Sequence, residues 1–213
     1  MQVISINTGQ PKTVQWKNQT VTTSIFKNPV QGSVNVNQLG IESDTQSDLS
    51  VHGGKYKAVY AYPSENYVYW ERELPHFSFQ WGTFGENLTT LGLTETEVCL
   101  GDRYKIGTVE LKVVQPRFPC MKIGVRFEDP FMVKRFLDSR LSGFYFQIVK
   151  EGTFEEGDSI ELLEKVAGIS IRSFVDIYAS KTPDLDKVQA VLEDPHLLDH
   201  WKEYFESKLA QVS

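Results

Sequence analysis

The stretch "VELKVVQPRFPCMKIGVRF", residues 109 to 127, opens with a run of β-forming residues that two prolines then stop. Alternation over Val109, Leu111 and Val113 reads as a strand. Pro116 lacks the amide donor that a ladder needs, so the strand is expected to end at Gln115, and Pro119 repeats the restriction three residues on. Each proline also biases its predecessor, Gln115 or Phe118, toward extended backbone. A stiff extended platform is therefore expected to present Cys120 at its end. From Gln115 to Phe127 the charged residues are Arg117, Lys122 and Arg126, with no acid among them. Neighbouring cations favour the thiolate form of a cysteine, and a thiolate is either a soft metal ligand or a nucleophile. The competing reading is a small buried residue, because sequence neighbours need not face the same way.

Working outward, the strand has many companions. "QVISINTG" alternates from the start, and "VQWKNQTVTTSIF" places Val14, Trp16, Val21, Thr23 and Ile25 on one face of a hairpin turning over Lys17 to Thr20. "KAVYAYP", "GFYFQIV" and "SIELLEK" add further strands rich in β-branched and aromatic residues. Strands this closely spaced read as a sandwich or barrel. Two helices interrupt them. Ser64 caps one in which Tyr67, Trp70 and Leu74 recur at helical spacing, and Asp129 with Pro130 begins another that turns Phe136, Leu137 and Leu141 inward. Helices of this kind plug barrel ends.

Beyond about residue 168 the period becomes helical throughout. Ser170, Thr182 with Pro183, and Asp194 with Pro195 start three helices, the last carrying Leu198, Trp201, Phe205 and Leu209 on one stripe. The expected division is a β domain over 1–165 and a three-helix unit over 166–213. The join "KVAGIS" is short, so the two are expected to dock.

The chain has 213 residues, 40% of them hydrophobic, with 22 basic and 28 acidic residues and a net charge of -6. That balance argues against nucleic-acid polymers and anionic membrane surfaces as partners. No stretch reaches the roughly 18 apolar residues of a span, and "MQVISINTGQ" lacks the basic and apolar regions of an export signal, so the cytoplasm is the expected location. Cys99 and Cys120 are the only cysteines. Cys99, between Val98 and Leu100, reads as a buried apolar thiol. A zinc site from Cys99, Cys120, His52 and His76 fails on spacing. His196 and His200 share a helix face without a third ligand, and the G-x-S-x-G elbow of a serine hydrolase is absent.

Two further stretches hold candidate site residues. In "SVHGGKYKAVYAYP", Gly53 and Gly54 free the backbone for close ligand approach, His52 is a switchable donor or acceptor, and Lys55 and Lys57 add positive charge. A Gly-Gly turn between strands is the plainer alternative. In "WGTFGENLTTLGL", Gly85, Glu86 and Asn87 sit among apolar residues, with an Asn turn as the alternative.

Taken in order, "NTG" at 7 to 9, "GIESDTQSD" at 40 to 48, "VHGG" at 51 to 54, "AYPSENYVYW" at 61 to 70, "FGENLT" at 84 to 89, "GD" at 101 and 102 and "QPRFPC" at 115 to 120 closely resemble the YiiM-type branch of the MOSC family. The resemblance spans the whole chain, including the C-terminal helices. It implies a mainly β fold with α-helices: a MOSC-type β-barrel with helices at its ends, followed by a small three-helix unit. It also implies a pyranopterin molybdenum cofactor with Cys120 as the protein ligand to the metal, and a two-electron reduction of N-hydroxylated compounds such as hydroxylaminopurines. On that reading Arg117, Lys55, Lys57 and Lys122 are candidates to hold the cofactor's phosphate, with Gly53 and Gly54 as backbone donors. His52, Asn87 and Glu86 are candidates to move protons, orient substrate or hold the pterin. Asn87 ranks ahead of Glu86, whose other role is to brace the loop. The expected partners are a small N-hydroxylated substrate and a separate electron-donor reductase, and the reading accommodates a homodimer. The alternative function is a non-catalytic carrier of the cofactor or of sulfur on Cys120.

Overall fold

The structure, a computed structural model, describes residues 1–47, 53–182 and 184–210. Thirteen strands are defined among the described residues. In chain order they are β1 (Gln2–Thr8), β2 (Lys12–Trp16), β3 (Gln19–Thr23), β4 (Asn28–Val30), β5 (Val34–Asn37), β6 (Gly40–Ile41), β7 (Val59–Pro63), β8 (Leu88–Leu91), β9 (Arg103–Ile106), β10 (Val109–Pro116), β11 (Phe144–Lys150), β12 (Gly152–Phe154) and β13 (Ile160–Glu164). The main sheet runs β13-β9-β10-β11-β7-β8-β1-β4, and only β7 and β8 pair in parallel. It closes into a barrel because the start of β1 also meets β13: Gln2 bridges Ser159, and the Ile160 amide donates to the Met1 carbonyl at 3.0 Å. Closure removes the exposed edges that an open sheet would leave.

Strand β7 explains why "VYAYP" carries no polar alternation. All five residues are buried, with Val59 and Ala61 in the larger apolar cluster and Tyr60 and Tyr62 in a second, aromatic one. A strand covered on both faces is apolar at every position. The cover over Tyr60 and Tyr62 comes from helices α1 (Glu65–Glu73), α2 (Met121–Phe127) and α3 (Met132–Ser139), which contribute Tyr67 and Trp70, Ile123 and Phe127, and Met132 and Phe136. Ser64 stands at the start of α1 but makes no capping bond.

The β2–β3 hairpin forms as its sequence predicts, turning on Lys17 and Asn18, both with positive φ. Two local differences surround Cys120. Strand β10 continues through Pro116, paired with Phe144, since a proline still offers its carbonyl. The residues after Cys120, to which the sequence reading assigned no element, wind into α2. Cys120 thus sits at the start of a helix, with extended backbone (φ -122°, ψ 177°).

Helices α4 (Ile171–Ala179), α5 (Leu185–Leu192) and α6 (Asp199–Ala210) follow the barrel. The Ser170 hydroxyl caps α4 by accepting from the Ser173 amide, whereas Asp184 caps α5, not Thr182. Pro183 lies outside the described residues. Phe174, Val188, Val191 and Phe205 are buried in the same cluster as the barrel's Val113 and Phe146. No described helix is long and apolar enough to cross a membrane.

Candidate active site

One open cavity, about 660 Å³ including its mouth, gathers residues from distant parts of the chain. Cys120, Arg117, Lys57, Lys122 and Asn87 all line it, so five of the candidate residues come together. The rest do not. Lys55 is exposed, its ammonium 4.7 Å from the Tyr56 ring centre, and Gly53 and Gly54 precede the short helical turn Lys55–Lys57 without lining the cavity. Glu86 is fully buried away from it. His52 lies outside the described residues.

Glu86 acts as a brace. Its carboxylate accepts from the Gly82 amide at 2.8 Å, the Phe84 amide at 3.0 Å, the Thr89 hydroxyl at 3.0 Å and the Tyr67 hydroxyl. Burial raises its pKa, and these donors oppose that shift. The braced loop turns at Gly85, where φ is +81° and a Cβ would stand 2.9 Å from an Ile25 side-chain atom. Asn87 is then locked in place. Its side-chain oxygen accepts from the Tyr60 amide at 3.1 Å, and its amide group donates to Asp44 at 2.8 Å.

Asp44 and Lys27 were missed at the sequence level. They form a buried ion pair lining the cavity, and Asp44 also accepts from the Gly9 amide at 2.7 Å. Burial is the largest influence on Lys27 and holds its pKa below the ordinary lysine value, against the pull of Asp44. The signal was present in sequence as "GIESD" and "FKNP", but 17 residues separate the partners and no local period links them.

Arg117 is 6% exposed, and its guanidinium carbon lies 5.4 Å from the Tyr60 ring centre and 4.9 Å from that of Phe136. Its Nη1 is buried with no hydrogen-bond partner. Burial disfavours the charge, yet Tyr60, Tyr145 and Cys120 favour it more, so its pKa lies above the ordinary arginine value. Burial lowers the pKa of Lys57, and the nearby Cys120 opposes that shift. The cavity therefore sets Cys120 among four cationic side chains, against the single carboxylate of Asp44, which Lys27 already engages.

The loop bearing Cys120 is held from outside the barrel. Phe118 packs against Tyr178, Trp201 and Phe174 at ring-centre distances of 4.0, 5.1 and 6.2 Å. The Trp201 indole N–H donates to Gln115 at 2.9 Å, and Gln115 in turn donates to the Tyr56 carbonyl at 2.9 Å. Cys99 differs from its sequence reading: it is half-buried, with the Lys165 ammonium 3.5 Å from its sulfur. Asp102, fully buried, pairs with that ammonium at 2.7 Å.

A family model for the MOSC domain matches residues 48–161. The chain is 35% identical to YflK of Bacillus subtilis (strain 168) over 207 residues, covering 97% of this chain and 93% of that protein. A protein named a reductase from Gibberella moniliformis (strain M3125 / FGSC 7600) is 36% identical over 148 residues, covering 68% of this chain and 26% of that protein. The crystal structure of YiiM from Geobacillus stearothermophilus is similar at a TM-score of 0.81 and 38% identity, covering 98% of each chain. On the match over residues 48–161 and the likeness that runs along nearly the whole chain, the chain belongs to the MOSC domain family.

Proposed function

We propose that the protein is a molybdenum-cofactor-dependent oxidoreductase that reduces N-hydroxylated compounds, with Cys120 as the protein ligand to molybdenum. The observation that carries the reading is Cys120 on the wall of a cavity whose cations outnumber its acids. Family membership and the likeness to a protein named a reductase support it.

The residues present suit such a cofactor. The buried, unpartnered Nη1 of Arg117 is a donor awaiting an acceptor, which a phosphate or pterin carbonyl provides. Among the described residues no three His, Cys, Asp or Glu side chains cluster as a metal site. A metal held by Cys120 there would take its other ligands from elsewhere, as it does when a pterin brings them. Arg117, Lys57, Lys122 and the unforeseen Lys27 would hold the anionic groups, while Asn87 keeps Asp44 and Lys27 in register.

When bound, the cofactor supplies the two electrons that cleave the nitrogen–oxygen bond. The balance R–NHOH + 2 e⁻ + 2 H⁺ → R–NH₂ + H₂O leaves two protons for the cavity to deliver, and the electrons come from a separate reductase. Lys27 Nζ is the proposed donor: it lines the cavity beside Asp44, and burial makes it a stronger acid than a surface lysine. Tyr145 also lines the cavity, and burial raises its pKa against the pull of Arg117, so its hydroxyl stays protonated and would be available as a donor to a substrate there.

The test is paired metal analysis and N-hydroxy reduction on Cys120→Ser and Cys99→Ser from one cofactor-competent host. A mostly protonated hydroxyl is a poor substitute for a soft thiolate, so molybdenum content and turnover should fall together in Cys120→Ser alone. Retention of both by Cys120→Ser would overturn the assignment. Metal without turnover in the wild-type protein, given a reductant, would favour the carrier.

A further inference from the structure

Of the three cations in the stretch around Cys120, Arg117 and Lys122 line the first cavity and Arg126 does not. Arg126 lines a second cavity, of about 1030 Å³ including its mouth, together with Thr8, Lys12, Phe26, Lys27 and Gln80. No carboxylate lines it. Lys27 is common to both cavities and is already neutralised by Asp44, which faces the first.

Lys12 and Arg126 converge on one ring. The Lys12 ammonium is 4.9 Å from the centre of Phe26 and the Arg126 guanidinium carbon 5.5 Å from it. Neither enters an ion pair among the described residues. The Nε of Arg126 is buried and has no hydrogen-bond partner. Packing on Phe26, and on Phe77 at 5.8 Å, does not account for that atom, because a ring face attracts the cation as a whole and leaves the in-plane N–H donors of the fork unused. Two like charges drawn to one ring, with an orphaned in-plane donor and no acid, lack an anion.

We propose that this second cavity binds the phosphate group of a small phosphorylated ligand. Arg126 supplies the fork, Lys12 a point charge, and Thr8 and Gln80 neutral donors. A carboxylate would be neutralised by the arginine alone, whereas the second cation suits the dianion of a phosphate monoester. The site is independent of whatever Cys120 holds.

The test is calorimetric titration of the full-length protein with inorganic phosphate, AMP and adenosine at low salt. Phosphate and AMP should bind and adenosine should not. Equal affinity for the two marks free phosphate as the ligand, and a clear preference for AMP marks a phosphorylated nucleoside or similar body. Arg126→Gln should weaken binding by about tenfold or more, the loss expected for a charge-assisted pair. Lys12→Gln should weaken it by about threefold, as expected for one more exposed ion pair. Lys12 is exposed, so that variant keeps its fold and decides the matter if Arg126→Gln does not fold. Absence of binding, binding of adenosine as tight as that of AMP, or affinity unchanged in Lys12→Gln or a folded Arg126→Gln would overturn the proposal. So would loss of phosphate binding in Arg117→Gln, which would place the anion in the Cys120 cavity.

Discussion

The two walls of the Cys120 cavity are built by different means. One wall is Lys27, Asp44 and Asn87, fixed by an ion pair and by directional bonds to Gly9 and Tyr60, with Glu86 bracing the loop behind it. The other is Arg117, Phe118 and Cys120. The backbone bond from Arg117 to the Gly143 carbonyl is a long 3.3 Å, and the prop comes from aromatic rings of α4 and α6. The polar wall is a local property of the barrel. The thiol wall depends on residues 50 to 90 positions further along, so the geometry at Cys120 reports on the whole chain.

The harshest way to break this comparison is to cut the chain after Lys165, at the proposed boundary between the barrel and the helical unit. Burying a large apolar side chain contributes roughly 1.5–3 kcal/mol. Losing Ile171, Phe174, Val188, Val191 and Phe205 would remove on the order of 10 kcal/mol, comparable to the whole stability of a domain. The truncated chain is expected to show no cooperative thermal transition by circular dichroism. A cooperative melt with Cys120 alkylated no faster than in the full chain would show that the thiol wall stands without its props.

Next in size is Asp44→Ala, which attacks the polar wall. It strands a buried ammonium, a change that costs about 3–5 kcal/mol when one partner of a buried pair is removed. The double variant Lys27→Met/Asp44→Asn removes both charges while keeping an acceptor for the Gly9 amide and Asn87, and should recover most of that loss in denaturant titrations. If the double variant is as unstable as the single one, packing and not charge holds this wall.

These contrasts mark what the sequence made legible. Strands β1, β7, β10 and β11 announced themselves by local composition, because the buried positions of a strand must be apolar whatever it pairs with, whereas β13, buried only at Ile160, was legible from its β-forming residues alone. Helix α2 did not: Ile123, Val125 and Phe127 favour strands, and burial against Tyr60 and Tyr62 overrode that propensity. At the site, Cys120 and Arg117 were legible because they lie three residues apart in a constrained segment. Lys27 with Asp44, and Trp201 with Gln115, were not, since each partner alone has the pattern of an ordinary surface or helix-stripe residue. Lys27 and Asp44 also lie outside the segment that matches the family model.

A milder probe of the polar wall is Glu86→Gln. At neutral pH the variant presents an amide donor where the carboxylate accepted from other donors, which should cost about 1–3 kcal/mol. The pH dependence carries a sign. Burial holds the folded-state pKa of Glu86 above its ordinary 4.5, so the folded state binds the proton more tightly. The stability this contributes is fully present below 4.5 and is lost as pH rises through the raised folded value. Wild-type stability should therefore fall across that window, and the variant's should fall less steeply. Glu95, raised by burial in the same way, keeps the variant's slope from vanishing. A steeper slope in the variant would contradict the assignment.

The smallest change is aimed at the thiol wall. Trp201→Phe keeps an aromatic ring against Phe118 and deletes only the N–H that reaches Gln115. Its cost in stability should be about 1 kcal/mol, that of one partly buried hydrogen bond. A purely structural weakening would raise the reactivity of both thiols together as the chain opens more often. A bond that specifically fixes Gln115, and through it both the Tyr56 turn and the start of the Arg117–Cys120 loop, should alter Cys120 more than Cys99. Alkylation by iodoacetamide, followed by mass spectrometry on protein from a host lacking the cofactor, gives both rates in one sample. Cys99, whose environment is set by Lys165 and Asp102, is the internal reference. The Cys120 rate should change severalfold while that of Cys99 holds, and Gln115→Leu should reproduce the effect without adding to it in the double variant, as expected for two residues acting through one bond. Equal changes at the two thiols would mean that the rings alone, and not this hydrogen bond, set the position of the thiol wall.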